Sequence, residues 1–157
     1  MRTSGVWLAV SGLVRRGDEV LVVKKRYGGM KGLYSFPAGF VMPGETLDEA
    51  VVREVKEETA VDAAVRGVLG VRTGVLRNGV SDNLVLFLLD YVRGTPEPQE
   101  GEIEEACFLP VAELIAHPLA TEFLRTFLPQ LDARPVFTGC TLEPRADYGY
   151  HRYKIFR

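Results

Sequence analysis

Apolar and polar positions along the chain change period several times, and each change marks an element. Trp7 to Val14 alternates loosely and is rich in Val and Leu, which predicts a strand. Arg15 to Asp18 reads as a turn and Glu19 to Arg26 (EVLVVKKR) as a second strand, so the pair predicts a hairpin. Tyr27 to Leu33 (YGGMKGL) carries three glycines and predicts a loop; Tyr34 to Pro37 is a short extended piece. A helical period then takes over from Leu47 to Thr59. Beyond it, Ala63 to Gly74 predicts a long strand, Asn78-Gly79 a turn, and Ser81 to Val92 a largely buried strand. Gly94 to Glu102 is a polar loop rich in Pro and Gly, and Ala106 to Leu109 a short strand. Pro110 and Pro118 suit the first turns of two helices, Val111 to Ala116 and Leu119 to Leu131. Strands and helices interleave without a βαβ repeat, which predicts a mixed sheet between helices, an α+β or α/β layer fold.

The stretch from Gly39 to Val61, GFVMPGETLDEAVVREVKEETAV, organises the rest. Thr46 is a good N-cap, and Glu49 three residues later completes a capping box. On a wheel at about 100° per residue with Glu54 at zero, Glu57 and Glu58 fall at about −60° and +40°. Leu47, Ala50 and Val51 fall at about +20°, −40° and +60°, so three carboxylates continue the apolar stripe. Asp48, Glu49, Val52, Lys56 and Thr59 fall on the opposite side.

An ordinary surface helix sets its charges opposite its apolar stripe. Here like charges crowd the inward face near a helix C-terminus, where both neighbours and the macrodipole disfavour them. A divalent cation held among oxygen ligands reverses the sign of that cost. The plain alternative is a solvated acidic face paired with Arg53 and Lys56. The inward placement and the Gly/Pro-rich loop ahead of the helix weigh against it.

This stretch resembles the signature of the Nudix hydrolases: Gly, five residues, Glu, seven residues, Arg-Glu, an apolar residue, any residue, Glu-Glu, any residue, Gly, apolar. Gly39, Glu45, Arg53, Glu54, Val55, Glu57, Glu58 and Val61 match in register, and Ala60 stands where the family has Gly. The resemblance implies the Nudix α/β/α sandwich. It also implies Mg²⁺ or Mn²⁺ held by Glu54, Glu57, Glu58 and the Gly39 carbonyl, and catalysis by Glu57, Arg53, Glu54 and Glu58. Arg53 then orients a glutamate, Glu45 orders the loop, and Val55 and Ala60 shape the helix. The implied reaction is hydrolysis of a phosphoanhydride in a nucleotide-type small molecule. The base is Glu57 or a loop glutamate, for which Glu100, Glu102 and Glu105 are candidates.

The Pro37-Ala38-Gly39-Phe40 form of the loop resembles members acting on ADP-ribose-like or dinucleotide substrates more than those cleaning (d)NTPs. A (d)NTP pyrophosphatase is the alternative enzyme. A non-catalytic nucleotide sensor is the alternative class, although no box glutamate is lost and no helix-turn-helix is read beside the motif. Arg26, Lys31 and Tyr34 are candidates for substrate contact, with Lys24 and Lys25 able to meet phosphates.

Length and composition fit these expectations. A chain of 157 residues, 46% hydrophobic and 25% charged, suits one domain (1–157) with a sizeable core. A formal charge of −2 gives no global attraction to nucleic acid, and none is expected as a partner. No apolar run reaches membrane-spanning length, and the N-terminal stretch alternates into a turn rather than a leader cleavage site. Cys107 and Cys140 are too few and too far apart for a disulfide framework or a zinc site, which suits a reducing cytoplasm. Residues 134–157 end YGYHRYKIFR, aromatic and basic together, and are expected to pack on the domain or on a partner subunit in a homodimer.

Overall fold

The computed structural model describes residues 5–157. Residues 1–4, the start of the stretch weighed as a leader, lie outside the described residues. Strands β1 (Val6–Arg16) and β2 (Glu19–Lys25) form a hairpin that pairs only at its tip, Arg15 with Val20 and Arg16 with Glu19. Beyond the tip the two strands part. β1 takes β6 (Ser81–Arg93) in parallel and β4 (Ala38–Phe40) antiparallel. β2 takes β3 (Tyr34–Ser35) and β7 (Ile103–Pro110), both antiparallel. β5 (Asp62–Val75) closes the far side against β6, giving a mixed sheet of order β3-β2-β1-β6-β5 with β4 on β1 and β7 on β2. The splayed hairpin lets β4, and the loop that follows it, lie directly beside the middle of β1.

Helices cover both faces, so the fold is α+β. On one face α1 (Leu47–Thr59) lays Ala50, Val51 and Val55 on Val10, Val14, Leu21, Phe87 and Leu89. Gly12 permits this contact: a Cβ there would stand 2.9 Å from Val55 Cγ2 and 3.1 Å from Val51 Cγ2. Each fully buried Val is worth roughly 1.5–3 kcal/mol. On the other face α2 (Val111–Ala116) and α3 (Glu122–Phe127) bring Leu114 and Leu124 onto Leu13, Val20, Val22, Phe36, Leu86 and Leu88.

Several elements depart from the sequence expectation. The helix predicted over 119–131 shrinks to α3, followed by a single 3₁₀ turn, Leu131–Ala133. The reason is tertiary: the Tyr34 N–H donates to Leu119 O at 2.8 Å and the Thr121 N–H to Tyr34 O at 3.1 Å, so 119–121 run extended along β3. β7 starts at Ile103 rather than Ala106, because β2 offers a partner along its whole length. Glu105 is therefore a strand residue. Thr59, placed outside by the wheel, is fully buried; its hydroxyl donates to Val55 O at 2.6 Å and accepts from the Val61 N–H at 3.2 Å.

The C-terminal segment forms a small two-stranded sheet, β8 (Gly139–Thr141) with β9 (Lys154–Phe156). Phe137 and Val68 exchange two backbone hydrogen bonds at 2.9 Å, and Phe156 packs edge-on against Phe87. Tyr148 and Tyr150 stay exposed. Among the described residues no helix is long and apolar enough to cross a membrane.

Helix α1 exits through Ala60 at φ 61°, ψ 8°, the left-handed region that disfavours a Cβ. Ala60→Gly is therefore expected to stabilise the protein by up to about 1 kcal/mol. Urea unfolding of the two proteins checks it; a lower midpoint for the glycine variant would show that no strain is stored there.

Candidate active site

The acidic site is assembled by the β4 strand, the turn after it and the C-terminal half of α1. Arg53 is its hub. Its guanidinium grips Glu45 with a fork, Nε to Oε2 at 2.9 Å and an Nη2 bond to Oε1 at 2.6 Å. The same group donates to Phe40 O at 3.0 Å, to Glu54 Oε1 at 2.7 Å and to Glu57 Oε2 at 3.2 Å. A planar cation with several fixed donors suits this bridging in a way that Lys does not. Glu45 also accepts the Met42 N–H at 2.7 Å, so loop and helix share one clamp. The Arg53 bond is the main reason the Glu45 carboxyl lies below its ordinary range.

The other two carboxylates face inward. Glu58 is 3% exposed and reaches Lys25 Nζ at 3.0 Å and the Ala38 N–H at 3.2 Å. Lys25 also donates to Ala38 O at 3.2 Å, so it ties β2, β4 and α1 together. Burial pushes the Glu58 carboxyl up, only partly offset by Lys25. The Glu54 carboxyl is raised for the same reason, with Arg53 opposing and Glu57 adding to the effect. The Glu57 side chain is 47% exposed, at the rim of the site. The three therefore form a gradient from solvent to interior rather than one even stripe.

Gly39 sits against this group. A Cβ built on it would land on the Glu54 carboxylate, so a side chain there would require that carboxylate to shift. Its carbonyl stands opposite Val10 in the ladder, and a carbonyl oxygen carries a second lone pair.

The wheel's alternative pairing is changed in one partner. Lys56 turns away to Asp62 at 3.0 Å and to Ala60 O at 3.2 Å; Lys25 of β2 neutralises Glu58 instead. Strand parity carried that signal, since Lys25 shares a face with Leu21 and Val23, and Leu21 packs toward α1. Four carboxylates (Glu45, Glu54, Glu57, Glu58) against two cations (Arg53, Lys25) leave two formal negative charges. Among the described residues no three His, Cys, Asp or Glu side chains converge into a ready cage. Magnesium does not need one: it keeps waters and substrate phosphates and takes one or two carboxylates from the protein. The donors here are all oxygens and carry an excess of negative charge, which is the chemistry a hard divalent cation takes.

The remaining candidates are not gathered here. Tyr34 is 7% exposed on the opposite sheet face; its hydroxyl donates to Glu105 at 3.1 Å, and Lys24 and His117 cover its ring. Tyr34 thus lies in the core on that face, away from the acidic site. Glu105 is likewise committed to Lys24 at 2.9 Å and to Tyr34 on that face, which removes it as a loop base. Burial and that same Glu105 push the neighbouring Cys107 thiol up to about 12, which disfavours its thiolate. The Arg26 side chain is spent on Ile103 O at 3.2 Å; Lys31 is exposed on the 26–33 loop. Glu100 and Glu102 lie on the loop whose backbone closes the end of α1, the Gln99 N–H donating to Glu58 O at 3.2 Å and the Glu97 N–H to Thr59 O at 2.8 Å. A cleft of about 660 Å³ beside Arg15, Val111, Ile115, Leu128 and Gln130 shares no residue with the acidic site.

Comparison with known proteins bears on the family and the fold. The NUDIX domain family model matches residues 6–131. The chain is 38% identical over 88 residues to an ADP-ribose pyrophosphatase of Methanocaldococcus jannaschii, covering 55% of this chain and 52% of that protein. It is 41% identical over 95 residues to the NAD-capped RNA hydrolase NudC of Pseudomonas aeruginosa, covering 60% of this chain and 32% of that one. It thus spans about half or less of the length of these curated relatives. The crystal structure of a MutT NUDIX hydrolase from Burkholderia pseudomallei superposes with a TM-score of 0.69 at 23% identity, covering 80% of this chain and 98% of that one.

The contact between Gly39 and Glu54 generates a prediction independent of turnover. Gly39→Ala should lower stability by about 1–3 kcal/mol, the cost of forcing a methyl into a filled space. Chemical denaturation checks it. A variant as stable as the parent would mean that the carboxylate moves freely and that the backbone does not shape the site.

Proposed function

The chain belongs to the Nudix family, and from its site we propose a Mg²⁺- or Mn²⁺-dependent hydrolase that cleaves the phosphoanhydride of a nucleoside diphosphate linked to a second group. The observation that carries this is the set of inward carboxylates, Glu54 and Glu58, kept in place by Arg53, Lys25 and the Ala38 N–H, with the Glu54 carboxylate lying against Gly39. A structural ion-pair network has no use for that glycine, nor for the uncompensated negative charge. The names of the relatives favour ADP-ribose and NAD-type diphosphates as the substrate class.

Each residue has a task in this reading. Glu54, Glu57, Glu58 and the Gly39 carbonyl would hold the metal, which when bound neutralises phosphate oxygens and acidifies water. Arg53 fixes the carboxylates relative to the loop and does not touch substrate. Glu57 would accept the proton of an attacking water, a role supported by its being the most exposed of the three. Lys25 keeps Glu58 aligned from the sheet side. Walls for the nucleoside come from outside the motif.

Two outcomes are expected. With Mg²⁺ or Mn²⁺, a panel of ADP-ribose, NAD⁺, a short NAD-capped RNA and the dNTPs, with products identified by mass, should show cleavage between the two phosphates of the diphosphate-linked members. Turnover confined to dNTPs with release of pyrophosphate would replace the proposal with the triphosphate reading. Glu57→Gln and Glu58→Gln should each lower kcat by at least about a hundredfold. Without metal, Glu58→Gln should melt close to the parent, because relief from burying a charge offsets the loss of one of its two bonds: Lys25 meets Oε1 and the Ala38 N–H meets Oε2, and an amide offers one oxygen. Near-parental turnover with a clearly lower melt would mark Glu58 as a structural ion-pair partner only.

A further inference from the structure

The C-terminal segment reaches the acidic site from outside the region that the family model matches, 6–131. Arg152 donates to Gly44 O and grips the Glu49 carboxylate through Nη2 to Oε2 and Nε to Oε1, each at 2.9 Å. Two residues on, Lys154 pairs with Asp48, whose side chain is only 17% exposed and also accepts from the Thr46 hydroxyl at 2.7 Å. Both contacts fall on the first turn of α1 and the turn before it. Glu49 is thus not a solvated residue on an idle face. One Oε2 atom closes the capping box with the Thr46 N–H at 2.8 Å and meets Arg152 as well.

The position of Gly44 gives this meaning. It turns the loop at φ 86° and immediately precedes Glu45, whose carboxylate carries the Arg53 fork. A polar chain therefore runs from Arg152 through Gly44 and Glu45 to Arg53, and on to Glu54 and Glu57. The segment does not need Arg152 for its own attachment. The two Phe137–Val68 backbone bonds and the Phe156–Phe87 contact already seat it on β5 and β6.

We propose that Arg152 is a positioning residue: from the C-terminal segment it locks the Gly44–Glu45 turn, and through the Arg53 fork it sets the carboxylates of the metal site. This rests on the reading of Glu54 and Glu57 as metal carboxylates. Lys154 supports the same lock by holding Asp48. A displacement of the order of 1 Å in groups that align a reaction costs up to about a hundredfold in rate, so a loosened turn is costly even far from the chemistry.

The test uses the full chain with Arg152→Gln, Arg152→Lys, Lys154→Met, and Arg145→Ala as control, since Arg145 pairs only within its own segment with Asp147 at 2.8 Å. Three readings are taken: amide hydrogen exchange at Gly44, Glu45 and Thr46 without metal, the Mg²⁺ concentration at half-maximal melting shift, and kcat against KM. Arg152→Gln should speed exchange at those amides about tenfold, raise the Mg²⁺ midpoint several-fold and lower kcat about tenfold with KM nearly unchanged. Arg152→Lys should restore part of each, and Arg145→Ala should match the parent. If Arg152→Gln only lowers the melting temperature, with exchange and Mg²⁺ midpoint as in the parent, the residue merely anchors the tail and the proposal is overturned. If that variant does not fold, Lys154→Met is read in the same way. The exchange and Mg²⁺ readings need no substrate, so a parent inactive on every nucleotide would refute the hydrolase reading and still leave these results to decide on Arg152.

Discussion

Burying carboxylates at the end of a helix is the constraint on which the rest of this structure depends. Glu58 is almost fully enclosed and Glu54 mostly so, and an ionised carboxylate taken out of water costs several kcal/mol unless it is paired and hydrogen-bonded. Much of the local architecture supplies those partners. β2 brings Lys25, β4 brings the Ala38 N–H, and the preceding turn of α1 brings Arg53. For Lys25 to reach Glu58, α1 must lie close to the sheet. Gly12 under Val51 and Val55 sets that distance, and Gly39 does the same for Glu54. Each glycine leaves out a methyl: at Gly12 the valines of α1 reach the strand backbone, and at Gly39 the Glu54 carboxylate does.

The helix could be read closely from sequence because its information is local. Thr46, Glu49 and an unbroken run fixed its ends, and the 3.6-residue period set the directions of Glu54 and Glu58. The wheel erred at Thr59, which the next strand buries, and it could not show that Glu57 sits half in solvent. Errors elsewhere share a cause. Whether 119–121 is helix or extended depends on Tyr34, some eighty residues away, and the real start of β7 depends on β2. Lys24 and Lys25 look alike in sequence, yet strand parity sends one to Glu105 and the other to Glu58. The place of Tyr34 was hidden for the same reason: an aromatic after a glycine loop gives no sign of which face it will occupy.

The charge state of the site also follows from that geometry. Arg53 and Lys25 neutralise half of the four carboxylates and cannot do more, because Lys56 is held by Asp62 and the Ala60 carbonyl. Were this only a stability device, a further cation in place of an apolar or polar neighbour would be the cheaper arrangement. The residual negative charge is instead left toward the exposed end, around Glu57, which on the proposed reading is where a hydrated divalent ion and a phosphate would arrive from solvent.

The helix exit shows why a departure from the family pattern can be tolerated here. Glycine is the usual residue for a left-handed exit, and Ala60 adopts that conformation at a cost of about 1 kcal/mol. The strain stays local because the end of α1 is held from outside. The 94–102 loop donates backbone N–H groups to the Glu58 and Thr59 carbonyls, and the Thr59 hydroxyl ties back to Val55. Those bonds satisfy carbonyls that a helix end otherwise leaves to water. They also fix the backbone of Glu58 directly, so its carboxylate does not depend on the comfort of the residue after next. An alanine at position 60 therefore weakens the fold slightly without moving the group that the exit exists to place.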